Sequence, residues 1–195
     1  MLRTVLWHRD EASPGYVEVP YEARPWENYA AAFQERHRML FSPLLSLMAW
    51  RLSRIAMDNP KLNATLHGAD RYQYEHVNIG FTVQSGATLY MVVVERAGEL
   101  DEKEFVDRLN DLQRRAMKHT LKPAELSGST ISFTSMARWN VSRHMPVLPP
   151  HTALIVAHGG RAGEQMVMGA TYDHRVLSGA DAVLAISSLS TPENG

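Results

Sequence analysis

The chain has 195 residues, 45% hydrophobic and 21% charged, values that set aside disordered, collagen-like and coiled-coil readings and leave one domain or at most two. Twenty Lys+Arg against 21 Asp+Glu give a formal charge of -1, a balance that points away from nucleic acid and anionic membranes as partners. There is no cysteine, so disulfides, thiolate metal sites and a cysteine nucleophile are excluded.

In chain order, MLRTVLWHRDE turns charged before it forms a signal-peptide core. GYVEVPY at 15–21 reads as a strand limited by Pro20, and the helix-rich run WENYAAAFQERHRML follows Pro25. A second helix is expected to start at Ser42 as N-cap with Pro43 in its first position, and to stop at Asn59-Pro60. Its broad apolar face, Leu44 to Ala56, predicts burial. Its run Leu44–Trp50, the longest apolar stretch, is too short to cross a bilayer, and a cytoplasmic protein is the expectation. VNIGFTV at 77–83 alternates as a half-buried strand, Gln84-Ser85-Gly86 turns, and LYMVVVE at 89–95 returns as the second strand of a hairpin. Asp101 and Glu104 form a capping box ahead of a helix whose inner face is Phe105, Leu109, Leu112 and Ala116. Strands then follow at 129–134, 152–158 and 164–174, with the turn between the last two placed at Gly159-Gly160 through Gly163. A final helix begins near Ser178 and ends at Pro192. The whole reads as one α+β domain over residues 1–195, with a mixed or antiparallel sheet covered by helices.

Nine histidines need sorting. His8, His37 and His119 lie in charged stretches and read as solvated. His144, His151 and His158 lack metal-ligand spacing, and no metal is expected. His174 ends a strand just before a glycine-containing turn, where a rigid scaffold presents reactive side chains.

The segment YDHRVLSGADA at 172–182 resembles the signature DHRxxDGADA of the dihydrolipoamide acyltransferases. Those form the catalytic cores of the 2-oxoacid dehydrogenase complexes and share their fold with chloramphenicol acetyltransferase. The resemblance continues in order. SPLLSLMAWRLSRIAMDNPKLNATL at 42–66 is similar to a helix ending in P-x-L-N-A, and EHVNIGFTV at 75–83 to H-V-N-I-G-I-A-V. LKPAELSGSTISFTSM at 121–136 is similar to L-T-P-E-E-M-x-G-G-T-F-T-I-S-N-L, and MPVLPPHTALIVAHG at 145–159 to T-P-I-I-N-P-P-x-x-A-I-L-G-V-G. It covers residues 40 to 190 and leaves 1–40 poorly matched.

The resemblance implies a chloramphenicol acetyltransferase-like two-layer sandwich and an acyltransferase that works by direct attack, with no acyl-enzyme. An imidazole titrating near neutral pH can take the acceptor's proton and return it to the leaving thiol. This role falls to His174. The oxyanion donor, a serine in the family, aligns with Thr134, which keeps an O–H donor. A one-residue slip moves the role to Ser135, and Thr134 also reads as an ordinary β-branched strand residue. Asp173, Arg175, Ser178 and Gly179 are the supporting residues. Where the family has Asp, in H-x-x-x-D-G, this chain has Ser178. The Asp implies an ion pair with an arginine near the N-terminus, and no such arginine motif is recognisable here. Ser178 with Asp181 instead has the pattern of a capping box.

No lipoyl domain, subunit-binding domain or Ala/Pro linker is recognisable, and the chain ends in the polar STPENG. The resemblance therefore implies a free-standing homotrimer with its active site between subunits, acyl-CoA as co-substrate and no bound lipoyl group. A small-molecule or carrier-bound hydroxyl or thiol is the acceptor, with natural-product acetylation such as that of a tetronate as one setting. The alternatives are a lipoyl-dependent transacylase acting on a separate carrier protein, and a catalytically silent trimeric scaffold.

Overall fold

A computed structural model describes residues 2–162 and 165–192. An N-terminal helix α1 (Leu2–Asp10) precedes strand β1 (Pro14–Tyr21), α2 (Ala23–Arg36) and α3 (Leu44–Asp58). A small hairpin, β2 (Ala64–His67) and β3 (Asp70–Gln73), stands apart from the main sheet. The sheet itself is built from β4 (Ile79–Ser85), β5 (Thr88–Val94), β6 (Ile131–Ser135), β7 (Leu154–Ala162), β8 (Gln165–Asp173) and β1. Helix α4 (Glu102–Met117) lies between β5 and β6, and α5 (Gly179–Leu189) follows β8.

The strand order is β1-β8-β7-β6-β4-β5. The β4–β6 and β6–β7 pairs are parallel and the others antiparallel, so the mixed α+β sheet read from the sequence is the one observed. Two-residue side-chain periodicity divides it into two faces. Ile79 and Phe81 of β4, Ile131 and Phe133 of β6, Leu154 and Val156 of β7, and Ala170 and Tyr172 of β8 join one core cluster with Trp26, Leu47, Leu52, Phe105, Leu109 and Ile186 of the helices. Gly80, Thr82, Ser132, Thr134, Ile155, Ala157, Gly169 and Thr171 point the other way. That second face is polar for a surface so little exposed.

Local chemistry explains most boundaries. Pro20 is tolerated because β1 is an edge strand, where a missing N–H breaks no central ladder. Gly86, at φ +57, opens the two-residue β4–β5 turn implied by the Ser85–Thr88 pairing. Asp101 accepts from the Glu104 N–H at 2.8 Å while the Glu104 carboxylate accepts from the Asp101 N–H, closing the capping box expected at α4.

Several expectations need correction. Pro43, not Ser42, is the N-cap of α3, and the first helical residue is Leu44. The Ser42 hydroxyl still reaches the Leu44 N–H, but at 3.4 Å. Helix α2 starts at Ala23, two residues before Pro25, because Pro in a first turn removes an N–H that lacks a helical partner anyway. The β2–β3 hairpin and α1 were not anticipated. His8 is half-buried and accepts from the Leu148 N–H at 3.1 Å; His37 is half-buried against Phe33, with ring centroids 4.3 Å apart. Gly159 and Gly160 do not turn the chain: β7 runs through them to Ala162, with a bulge between His158 and Arg161. Gly163, the end of the expected turn, and Glu164, the start of the expected strand, lie outside the described residues, as do Glu193–Gly195.

The β6–β7 connection is the fold's one parallel crossover without an α-helix among the described residues. Residues 136–153 cross the second face, pinned by Gly160 N–H to the Val141 carbonyl at 2.7 Å and Met136 N–H to the His158 carbonyl at 3.0 Å. Gly159 permits this approach, since a Cβ there would sit 2.0 Å from the Ser142 carbonyl oxygen. Gly159→Ala is therefore expected to destabilise the protein by about 1–3 kcal/mol, the usual range for overpacking. Gly160→Ala, whose Cβ meets nothing nearer than 3.4 Å, serves as the near-neutral control. Urea unfolding of the two variants checks the difference.

Candidate active site

His174 follows the last residue of β8 and is exposed. Its loop is held by hydrogen bonds on both sides. The His174 N–H donates to the Ser13 carbonyl at 2.8 Å, and the Val176 and Leu177 N–H groups each donate to the Asp173 carbonyl at 2.9 Å. Val176 and Leu177 are buried, so the loop is seated by apolar contact while the imidazole between its anchors stays at the surface.

Asp173 is 1% exposed, and its carboxylate is fully used. Oδ1 accepts from the Arg175 N–H at 3.0 Å and the Ser13 N–H at 3.3 Å. The Arg175 guanidinium binds both oxygens, at 3.0 Å to Oδ1 and 2.6 Å to Oδ2. Burial acts to raise the Asp173 carboxyl, but the Arg175 and Ser13 hydrogen bonds outweigh it and hold the group below the usual carboxylate range.

The imidazole itself lies edge-on to the buried Tyr172 ring, centroids 4.7 Å apart, with Nε2 2.9 Å from the Tyr172 hydroxyl. Gly15 of β1 passes directly beneath this pair. A Cβ there would come within 2.6 Å of Tyr172 Cζ and 2.9 Å of His174 Cδ2, so the glycine shapes the seat of the imidazole. Neither Tyr172 nor Gly15 stood out in the sequence. Only their pairing across β1 and β8 reveals them.

Ser178 caps α5 as its pattern suggested. Its hydroxyl lies 3.2 Å from the Asp181 N–H, and the Asp181 carboxylate accepts from both the N–H and the hydroxyl of Ser178 at 2.7 Å. Gly179, the first helical residue, packs beside the Tyr172 hydroxyl, which a Cβ at that position would meet at 3.2 Å.

Thr134 lies elsewhere. It is 8% exposed on the second face, its hydroxyl 2.7 Å from that of Thr82. Registers place Thr134 opposite Ala157, and Ala157 opposite Gly169. Strand spacing and rise then separate Thr134 from His174 by roughly 19 Å within one protomer. The structure thus brings Asp173, Arg175, Ser178 and Gly179 to His174 and leaves Thr134 apart.

Ser135 does not join either group. It faces the helix layer, its hydroxyl 2.9 Å from Nδ1 of His158, whose Nε2 lies 2.7 Å from the Tyr21 hydroxyl. His158 is 1% exposed and stacks on Phe133. Burial, with a smaller contribution from His144, pushes its pKa down to about 4. This Ser–His–Tyr set resembles a relay, with His158 and Tyr21 buried and Ser135 half-buried at its end. Strand register, Phe133 opposite Val156 and Ser135 opposite His158, is what brings it together.

The family of 2-oxoacid dehydrogenase acyltransferases, catalytic domain, matches residues 26–191. The chain belongs to that family. Among curated relatives, the dihydrolipoyllysine-residue acetyltransferase component of the Corynebacterium glutamicum pyruvate dehydrogenase complex is 28% identical over 169 residues, covering 77% of this chain and 25% of that protein. The chain spans roughly a quarter to a third of the curated relatives it matches. Among solved structures, a probable dihydrolipoamide acetyltransferase from Listeria monocytogenes superposes with a TM-score of 0.89 at 18% identity, over 100% of this chain and 92% of that one. Azotobacter vinelandii dihydrolipoamide acetyltransferase, studied for the role of a serine, a histidine and an asparagine in its catalytic mechanism, gives 0.87 at 14% identity over 97% and 84%. Chloramphenicol acetyltransferase itself gives 0.59 at 10% identity over 96% and 92%. The chloramphenicol acetyltransferase-like fold is the one this acyltransferase-family chain adopts.

The buried histidine makes acid stability testable. Between its ordinary pKa of 6.5 and its folded value of about 4, the unfolded chain binds a proton at His158 that the folded chain excludes. Stability is therefore full above pH 6.5 and falls as the pH drops towards 4, by roughly 3 kcal/mol in all. His158→Gln removes this titration. Its unfolding free energy is expected to be lower at pH 7 but flatter across the window, measured by urea titration at each pH. Equal slopes for both proteins would contradict the assignment.

Proposed function

We propose that this chain transfers an acyl group between coenzyme A and the thiol of a dihydrolipoyl group, with His174 as general base. The carrying observation is the exposed His174 imidazole on a loop anchored by the buried Asp173 carboxylate, in a family whose curated relatives are named dihydrolipoyllysine-residue acetyltransferases and succinyltransferases. The histidine and asparagine named for the mechanism of the Azotobacter enzyme stand four residues apart, the separation between His174 and Ser178.

The acceptor S–H proton passes to the neutral imidazole, and the sulfur attacks the thioester carbonyl. The new C–S bond forms as the carbonyl π pair moves onto oxygen, where a Thr134 hydroxyl donates to the oxyanion. The pair then returns, the old C–S bond breaks, and the imidazolium gives its proton to the departing thiolate. Since His174 and Thr134 lie roughly 19 Å apart on one sheet, the donor comes from an adjoining protomer of a homotrimer, and the site sits at the seam.

Release of coenzyme A from acetyl-CoA with dihydrolipoamide tests this reading. His174→Ala is expected to lower the rate 10²–10⁴-fold. Thr134→Val is expected to lower it by about 10²–10³-fold while Thr134→Ser retains most of it. A His174→Ala protein with wild-type rate overturns the assignment of the base. Transfer to small alcohols but not to dihydrolipoamide replaces the lipoyl reading with acetyl-CoA:alcohol transfer, of the kind natural-product acetylation needs. Transfer to neither, in a trimer that binds no acyl-CoA, leaves a silent scaffold.

Co-assembly tests the shared site. His174→Ala and Thr134→Val chains, each inactive alone, are expected to regain about a quarter of wild-type activity when co-expressed, because one seam in four joins the two intact halves. No recovery from verified mixed trimers places both residues' roles within one chain and defeats the seam.

A further inference from the structure

A carboxylate stands beside Ser178 at the start of α5. It comes from Asp181, one turn into α5. Its Oδ2 accepts from the Ser178 N–H at 2.7 Å, from the Ser178 hydroxyl at 2.7 Å and from Lys61 Nζ at 2.5 Å. Lys61 lies 120 residues away in the chain, on the single helical turn Pro60–Leu62 that closes α3. That turn is tied down on its far side. Leu62 is wholly buried, and the Asn63 amide that follows donates to the carbonyls of Tyr74 and His76.

Resting on the reading of His174 as the base, we infer that Lys61 is a positioning residue for it, acting through Asp181 and Ser178. The loop that carries the imidazole has two ends. Asp173, with Arg175 and the Ser13 N–H, fixes the first. Ser178 is the second, and the Asp181–Lys61 pair ties it to the floor of the helix layer. Between them Val176 and Leu177 are buried and only three residues separate His174 from Ser178. Removing the ammonium leaves Asp181 with the two Ser178 donors alone, and the second end is then held by α5 but not by α3. Misplacement of a catalytic group by about an ångström is enough to cost turnover without touching substrate binding.

Lys61→Met keeps the stem and removes the charge. Its kcat is expected to fall by about tenfold at unchanged KM for acetyl-CoA, and Lys61→Arg to restore it. Amide hydrogen exchange gives a readout independent of turnover: the Val176 and Leu177 amides are expected to exchange about tenfold faster in Lys61→Met, with the Val156 and Ala170 amides unchanged. The inference is overturned if Lys61→Met exchanges at wild-type rates in the loop, or if it keeps wild-type kcat. A wild-type protein that transfers no acyl group to thiol or alcohol defeats the proposed function instead, and the exchange measurement still decides the brace.

Discussion

Burial of the Asp173 carboxylate is the constraint around which this chain's candidate site is organised. A buried carboxylate without partners costs several kcal/mol. Here Arg175 binds it with two nitrogens, and the backbone N–H groups of Arg175 and Ser13 complete the set. These bonds have a structural consequence beyond charge balance. They draw residue 175 back over residue 173, which turns the chain sharply at the end of β8 and lifts His174 out of the sheet. They also bind Ser13, just ahead of β1, so the edge strand and the imidazole loop are fixed by the same group. Glycine at position 15 follows from that proximity, since the Tyr172–His174 pair lies where its side chain would be.

The sheet then separates two chemistries by the parity of its strands. Residues facing the helices are mostly apolar and form the core cluster, with His158 buried beside it. The other face carries a group of hydroxyls: Thr82, Ser132, Thr134 and Thr171. The hydroxyls of Ser132 and Thr171 are buried without a hydrogen-bond partner in the protomer, which is costly for a core and ordinary for a surface completed by other groups. A polar face of this kind, overlaid by the residue 136–153 crossover, suits a sheet whose second layer is another copy of itself.

Much of this was legible in the sequence for physical reasons. The α4 boundaries rested on a reciprocal cap and a 3.6-residue apolar period, both local, and both are observed. The β4–β5 hairpin rested on strict alternation over 77–83, the turn at Gln84-Ser85-Gly86 and an apolar run at 89–95. His174 stood out because a strand ends beside a glycine-containing turn. What was hidden is non-local. Nothing in SFTS or in VAHG says that Ser135 and His158 meet, because strand register alone joins them. Gly159-Gly160 reads as a turn, and its true use, admitting the backbone of Ser142, depends on a segment that precedes it by 17 residues. Helix α1 has no buried residue, so it left no apolar stripe to read.

Ser178 and Asp181 show how a helix cap and an ion pair share one carboxylate. The acid comes from the first turn of α5 and the cation from the turn Pro60–Leu62. Hydrogen bonds from Lys61 first, then from the Ser178 hydroxyl, hold the Asp181 carboxyl at about 2. As an N-cap, Ser178 both donates to and accepts from Asp181, and an ionised carboxylate in its place could only accept. The start of α5, just beyond the His174 loop, is therefore held both from within its own first turn and from the end of α3 by the same group.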